Sequence, residues 1–436
     1  MVRTYKEYAR KFPKPILKII RFVFLYLKKI ITDTANYLLF RVFYAFPNFT
    51  NICGKRVLKL EFRNLLNKKQ IFENDSIEIL LRLPVHTYSV GPYFFDDIKP
   101  KEINSVVDQL LLKVKGAVIC GSSSVVSVGE KTAIYDLYVL QNKKNYKYTD
   151  RCIKYIRGDC IVRQYKDFSH CKKGILLSGN YSWNYYHLTI DILPKLYYVN
   201  KLGIDSDVPL IIDEVCMKVN NYRELVEIFN VKNRKIIVVE SGEQYAFEEL
   251  FLPFQPNFCP PNFYQADSIN LEDFYYDYNS LNFVRNIMLG KKSHKKFPKK
   301  IFISRSKASK RREFNEDEIF NELKKYGFVR ICPENYSVRD QVAMFNGASW
   351  IAGGGGAAFT NLLYTNSNCR VMCFTNYNFS MPIFSSLASV SGADVVFFYD
   401  YLKAVTGKCC LHDSYNIDCK LVVDFLNKMS NKLFFE

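Results

Sequence analysis

The chain has 436 residues, 48% apolar and 24% charged, which excludes a disordered, collagen-like or low-complexity polymer and fits a folded protein of two or three domains. Its net charge of +18 is unevenly placed: residues 1–70 hold sixteen Lys or Arg against three Asp or Glu, and the remainder is only mildly basic. A basic end on a near-neutral body implies an anionic surface as partner.

Within that end, residues 16–31 read ILKIIRFVFLYLKKII. Their longest uninterrupted apolar run, 22–27, falls far short of the ~18–20 residues that span a bilayer. On a helical wheel Lys14, Lys18, Arg21, Lys28 and Lys29 share about a third of the circle, and Ile16, Ile19, Ile20, Val23, Leu27, Ile30 and Ile31 occupy the rest. This suits a helix lying in the interface of an anionic membrane, and the apolar face argues against nucleic acid. Residues 1–70 are therefore expected to be a basic amphipathic segment that associates with a membrane surface. No secretory h-region with a cleavage site is read in this sequence, and the thirteen cysteines lack zinc-site spacing. They are expected to be free thiols in a reducing cytosol.

Residues 71–290 begin with β-rich runs at 77–83, 116–120, 125–128 and 132–140 separated by polar turns. A strand at 174–177, a helical segment at 181–202, strands at 209–212 and 235–239 and a helix at 222–229 follow. Residues 291–300, KKSHKKFPKK, mark the best linker. In 291–436 the alternation restarts, with strands at 300–304, 328–332, 350–352, 370–374 and 394–399. The helices between them fall at 316–326, 338–346, 357–364 and 381–391. Strands alternating with helices predict a parallel α/β sheet, and two such halves leave a cleft between them for ligands.

Three stretches carry chemistry. In the first, Asn184 to Pro194, His187 and Asp191 stand four apart on one helix face, where a carboxylate can fix the tautomer of a general base. Pro194 implies a kink or stop there. In the second, a buried strand ends at Ser304-Arg305 and leads into Arg311 and Arg312, with a helix starting near Asn315. Guanidinium groups at such an edge suit bidentate phosphate binding. In the third, Gly353-Gly354-Gly355-Gly356 joins a strand to a helix starting at Ala357, which lets backbone amides approach an anion. It is neither a Walker loop nor a GxGxxG dinucleotide loop. Asp205-Ser206-Asp207 precedes a strand rather than following one, and Asp96-Asp97 is a weaker match still, so neither makes a convincing metal site.

Together these stretches resemble glycosyltransferase family 61, whose members show an Asn-Tyr-x-His segment ending in Asp-x-Leu-Pro, matched from Asn184 to Pro194. A Ser-Arg followed by Arg-Arg-x-x-Asn-Glu is matched at Ser304–Arg305 and from Arg311 to Glu316. Ser337, Gln341, Phe345 and Ala348 match the next segment, and Gly355 to Asn361 match a His-Gly-Ala-Gly-x-Thr-Asn loop. Two departures stand out: the family His is Gly355 here, and the loop's second Gly is Ala358. The resemblance covers roughly residues 174–400, and the kind of member it suggests is bacterial, of the capsular or surface-polysaccharide type. It implies a GT-B-like α/β fold, two Rossmann-like domains facing across a cleft, with an acceptor-side domain at 71–290 and a nucleotide-sugar domain at 291–436. It further implies an inverting transfer without metal or resident cofactor. His187 and Asp191 would be catalytic, with Asn184 and Tyr186 touching the acceptor or supporting the residues that do. Arg305, Arg311, Arg312, Gly354, Gly355, Gly356, Ala357, Thr360 and Asn361 would bind the donor. A cytoplasmic enzyme peripheral on the inner face of the membrane would meet a lipid-linked saccharide acceptor in surface polysaccharide assembly. The alternative is a weak or inactive homologue that binds nucleotide or saccharide.

Overall fold

The computed structural model describes residues 55–62, 76–95, 101–129, 132–136, 150, 153–157, 159–165, 168–260, 270–291, 293–306, 313–376, 382–400 and 413–432. For 55–62, 153–157, 159–165 and 430–432 the backbone alone is described. The amphipathic stretch 14–31, Asp96, Asp97, Arg311 and Arg312 lie outside the described residues.

The amino-terminal strands are β1 (Lys55–Phe62), β2 (Ile77–Val90), β3 (Glu102–Cys120), β4 (Val125–Val128), β5 (Thr132–Tyr135), β6 (Ile153–Arg157), β7 (Asp159–Tyr165), β8 (Ser169–Leu176), β9 (Leu210–Asp213), β10 (Ile236–Val239), β11 (Gln244–Pro253) and β12 (Tyr276–Asp277). They form one mixed sheet in the order β10-β9-β8-β11-β3-β4-β5-β1-β7-β6, with β2 on β3 and β12 on β2. The run β10-β9-β8-β11 is parallel, and β11 meets β3 antiparallel. This half is therefore Rossmann-like only at one side. The remaining strands pair mostly antiparallel through short turns, as the closely spaced runs at 116–120, 125–128 and 132–140 suggest. A bridge between Gly121 and Ser241 ties the turn after β10 to the end of β3.

Between β8 and β9 the expected helix over 181–202 is divided. Residues 180–183 form turns, His187–Ile192 is π-helical with Leu193 N–H bonding Leu188 C=O, and α1 (Lys195–Leu202) starts after Pro194. Proline cannot donate an i→i−4 bond, so the helix resets there. Helices α2 (Glu214–Lys218) and α3 (Asn220–Phe229) join β9 to β10.

The carboxy-terminal half is a five-stranded parallel sheet of β13 (Lys300–Ile303), β14 (Val329–Ile331), β15 (Trp350–Gly354), β16 (Arg370–Thr375) and β17 (Asp394–Tyr399), in the order β14-β13-β15-β16-β17. Strands β13, β15 and β16 are buried on both faces, which explains their near-continuous apolar runs. Phe302, Ala352, Met372, Phe374 and Phe398 face α5 (Glu316–Lys324) and α8 (Cys419–Lys432). Ile301, Ile303, Ile351, Val371 and Phe397 face α6 (Val338–Gly347), the 3-10 helix Ala357–Tyr364 and α7 (Ile383–Ser391). The order reverses between β13 and β15, and that switch point is where an open parallel sheet binds ligands.

One apolar cluster runs through both halves. It includes Leu188 and Ile190 beside β9, Leu281 and Val284 on α4 (Tyr278–Leu289), and Ile301, Phe359 and Leu362. The end of β2 crosses over as well: Ser385 Oγ donates to Val90 O at 2.6 Å, and Phe397 N–H to Tyr93 O at 2.8 Å. The basic stretch 291–300 thus joins halves that share a core. It is itself pinned by Lys295 Nζ on Asp340 at 2.6 Å.

Cysteine pairing departs from expectation. Cys120 at the end of β3 is disulfide-bonded, whereas Cys171, Cys216, Cys259, Cys332, Cys369 and Cys419 are free thiols.

Candidate active site

His187 and Asp191 meet as their spacing predicts: His187 Nδ1 lies 2.6 Å from Asp191 Oδ2. The turn that carries them is π-helical, a rare geometry that recurs at functional sites. Asn184 starts it by accepting the Tyr186 N–H at 2.9 Å, and its carbonyl accepts the Leu188 N–H. Just before it, Tyr181 has φ 71° and stacks its ring on the imidazole, with centroids 5.0 Å apart. A bulky residue with positive φ stores roughly 1–3 kcal/mol of strain, which the surrounding structure must hold in place. Asp213 does part of that holding, since its buried carboxylate accepts from Ser178 Oγ at 2.6 Å and from the Gly179 N–H at 3.0 Å.

The pair lines a cavity that opens to solvent. Its walls include Ser124, Asn180, Tyr181 and Lys195, with Gln255 and Cys259 from the segment after β11. Lys195 is buried and lies 3.5 Å from the equally buried Asp136. Burial pushes the Asp191 carboxyl above its ordinary range, while the His187 hydrogen bond and the charges of His187 and Lys195 pull it back. Burial also raises the Cys259 thiol, so it forms an uncharged wall.

The sign of the Asp191 shift gives a prediction. A carboxyl raised on folding adds most stability below its ordinary value near ~4, and that contribution is lost as pH rises through the raised value. At neutral pH the ionised group is a net burden. Asp191→Asn is therefore expected to raise the melting temperature at pH 7.5, by a margin that shrinks toward pH 4.5, while turnover falls because the imidazole loses its tautomer control. Thermal melts at the two pH values check this. A less stable Asp191→Asn protein at pH 7.5 would mean that the pair merely pins the helix.

The second constellation lies at the switch point. Ser304 and Arg305 follow β13, where Ser304 Oγ donates to Glu316 and the Arg305 N–H bonds Glu316 Oε2 at 3.1 Å. The Arg305 guanidinium crosses to the glycine run and donates from Nη1 to Gly355 O at 2.8 Å. A Cβ at Gly356 would come within 1.7 Å of that Nη1, and one at Gly354 within 3.1 Å of Arg305 Cδ. Gly353 passes so close to β13 that its Cβ would meet Ile303 O at 2.6 Å. The glycines thus let the arginine side chain lie on bare backbone at the start of the helix from Ala357. Gly355 would place a Cβ 3.2 Å from Phe384 and 3.4 Å from Cys373. That space is already filled by their side chains.

Several residues take supporting places. Asn361 is fully buried, accepts from Tyr185 Oη at 2.7 Å and donates to Gln341 Oε1 at 2.9 Å, so it links the His187 segment to α6. Thr360 is fully buried beside it. Tyr186 points into the core, with its hydroxyl 3.3 Å from that of Tyr276. The side chains of Asn361 and Tyr186 thus have hydrogen-bond partners within the protein. Ser337 caps α6 by accepting the Asp340 N–H, and Asn315 exchanges hydrogen bonds with the backbone of Ile417. Asp207, in the literal Asp-x-Asp, pairs with exposed Lys173 at 2.5 Å. Sequence reasoning missed Tyr181, Lys195, Gln255 and Ser124 as cavity residues. Lys195 alone carried a signal, standing four residues after Asp191.

Residues 185–372 match the family described as Glycosyltransferase 61, a span that contains His187, Asp191, Arg305 and the whole glycine run. No curated protein shows significant similarity to the chain. The match spans both constellations, so the chain carries a glycosyltransferase family 61 domain and the protein is a glycosyltransferase.

Proposed function

We propose that the protein transfers a sugar, with inversion and without a metal, from a nucleotide-sugar held near Arg305 to a saccharide hydroxyl held near His187. The observation that carries this reading is the 2.6 Å His187–Asp191 contact opening on a cavity. With Nδ1 engaged by Asp191, Nε2 is the nitrogen left to take the acceptor proton as the hydroxyl attacks the anomeric carbon. The departing nucleoside diphosphate is stabilised by the Arg305 guanidinium and the amides that follow Gly356, with Arg311 and Arg312 from the adjoining loop as further cations. The doubly wound sheet from 291 onward supports a GT-B-like arrangement in which that half binds donor and 71–290 presents acceptor. Incubating the purified protein with a panel of sugar nucleotides tests the reading through nucleoside diphosphate release. Gly355 in place of the family His favours a second reading, a weak or inactive homologue, which the same assay separates by showing binding without release.

The acceptor we propose is lipid-linked, in the assembly of a bacterial capsule or other surface polysaccharide, and the protein is peripheral on the inner face of the cell membrane. The basic amphipathic pattern of residues 14–31 supports this. Among the described residues no helix is long and apolar enough to cross a membrane. The Cys120 disulfide removes the free-thiol argument for a reducing compartment, so the placement rests on that basic face. Deleting residues 1–54 is expected to abolish co-sedimentation with vesicles containing phosphatidylserine at moderate salt. Undiminished co-sedimentation of the truncated protein would contradict the placement.

A further inference from the structure

Two residues that line the His187 cavity each carry a buried polar atom with no hydrogen-bond partner among the described residues: Asp191 Oδ1, an acceptor, and Gln255 Nε2, a donor. Both residues are more than nine-tenths buried, Asp191 at 6% and Gln255 at 7% exposure. Leaving a buried polar group unsatisfied costs roughly 1–3 kcal/mol, so a protein that keeps two in one cavity holds them there at the expense of stability.

Gln255 is firmly placed. On one side Phe254 is fixed to β3, its N–H donating to Leu110 O at 3.0 Å and its carbonyl accepting Gln109 Nε2 at 2.7 Å. On the other, Asn257 Nδ2 donates to Ile190 O at 2.7 Å, in the π-helical turn that carries His187 and Asp191. Its Oδ1 accepts the Asp277 N–H at 2.8 Å. Residue 255 is therefore clamped to the turn that carries the base, and its amide is preorganised rather than swinging in solvent.

We propose that Gln255 is a substrate-positioning residue. Its Nε2 and Asp191 Oδ1 form a donor–acceptor pair for a non-reacting hydroxyl of the acceptor sugar, next to the hydroxyl that His187 deprotonates. A hydroxyl is the group that accepts from one and donates to the other. This rests on the reading of His187 as base, and it adds that the acceptor must carry a second hydroxyl beside the reacting one. A site built to hydrogen-bond a hydroxyl rejects the analogue lacking it far more strongly than an apolar pocket rejects an extra methylene.

The test uses the full-length protein and methyl glycosides of common hexoses and hexosamines, each with its monodeoxy analogues, followed by saturation-transfer NMR titration. The parent is expected to bind at least one methyl glycoside and to lose at least tenfold in affinity for one of its deoxy forms. Gln255→Met, which keeps the bulk and removes the orphan donor, is expected to bind that glycoside at least tenfold more weakly, to lose the deoxy discrimination, and to melt no lower than the parent. Gln255→Glu, which keeps the shape and replaces the donor with an acceptor, is expected to lose binding in the same way and serves if the Met variant misfolds. Parental binding and discrimination in either folded variant would overturn the proposal, as would the absence of any binding glycoside. His187→Ala separates this from the base assignment: that assignment fails if its turnover is parental, whereas the proposal fails on glycoside binding.

Discussion

His187→Ala is expected to lower turnover ~10²–10⁴-fold, the usual contribution of a positioned general base, while fold and donor affinity remain. The imidazole lies between Asp191 at 2.6 Å and the Tyr181 ring, on the surface of the cavity rather than in the apolar core. Removing it deletes the proton acceptor and little packing. Arg305 and the glycine run sit at the ends of β13 and β15, connected to the His187 segment through Tyr185, Asn361 and Gln341. None of those links passes through the imidazole, so nucleotide-sugar affinity should be parental. Melting temperature, donor affinity and turnover on one preparation check all three parts. Parental turnover in a well-folded His187→Ala protein would move the search for a base to Asp191 itself.

Arg305→Ala is expected to weaken nucleotide-sugar binding by about 2–3 kcal/mol, or ~30- to 140-fold, the range for a charged hydrogen-bond donor on a diphosphate. Gly356→Ala should reproduce much of that loss with the guanidinium still present. A Cβ there would occupy the position of Arg305 Nη1 and force the side chain off the glycine run. Calorimetry with the same sugar nucleotide compares both mutants with the parent. Equal affinity in all three would make the arginine a structural brace on Gly355 O and exclude it as a phosphate ligand.

The carboxy-terminal half was the more legible in sequence, for a physical reason. Strands buried on both faces leave continuous apolar runs, and each alternates with an amphipathic helix, so β13 to β17 fall close to where periodicity places them. The amino-terminal half hid more. The length of β3, the strand β11 and the helix α4 escaped notice, because their residues answer to neighbours distant in sequence. The divided helix around His187 was half visible: Pro194 signalled a break, but nothing in the residues marked a π turn. The same division holds at the site. His187 with Asp191, and Arg305 with the glycines, declare their chemistry by type and spacing. Gln255 does not, because a single glutamine after a strand acquires meaning only when folding clamps it between Leu110 and Ile190. Asn361 and Tyr186 are a further case. Their side chains link the two halves and fill the core, a role that motif membership alone does not reveal.

Nucleoside diphosphate release from a panel of sugar nucleotides, measured side by side for the parent, His187→Ala and Arg305→Ala proteins, tests the joint action of the two constellations most directly. The account predicts release by the parent from at least one sugar nucleotide in the presence of saccharide acceptor. It predicts that His187→Ala loses turnover at saturating donor, and that Arg305→Ala loses affinity for donor. Absence of release by the parent, or release by both mutants at the parental rate and affinity, would contradict it.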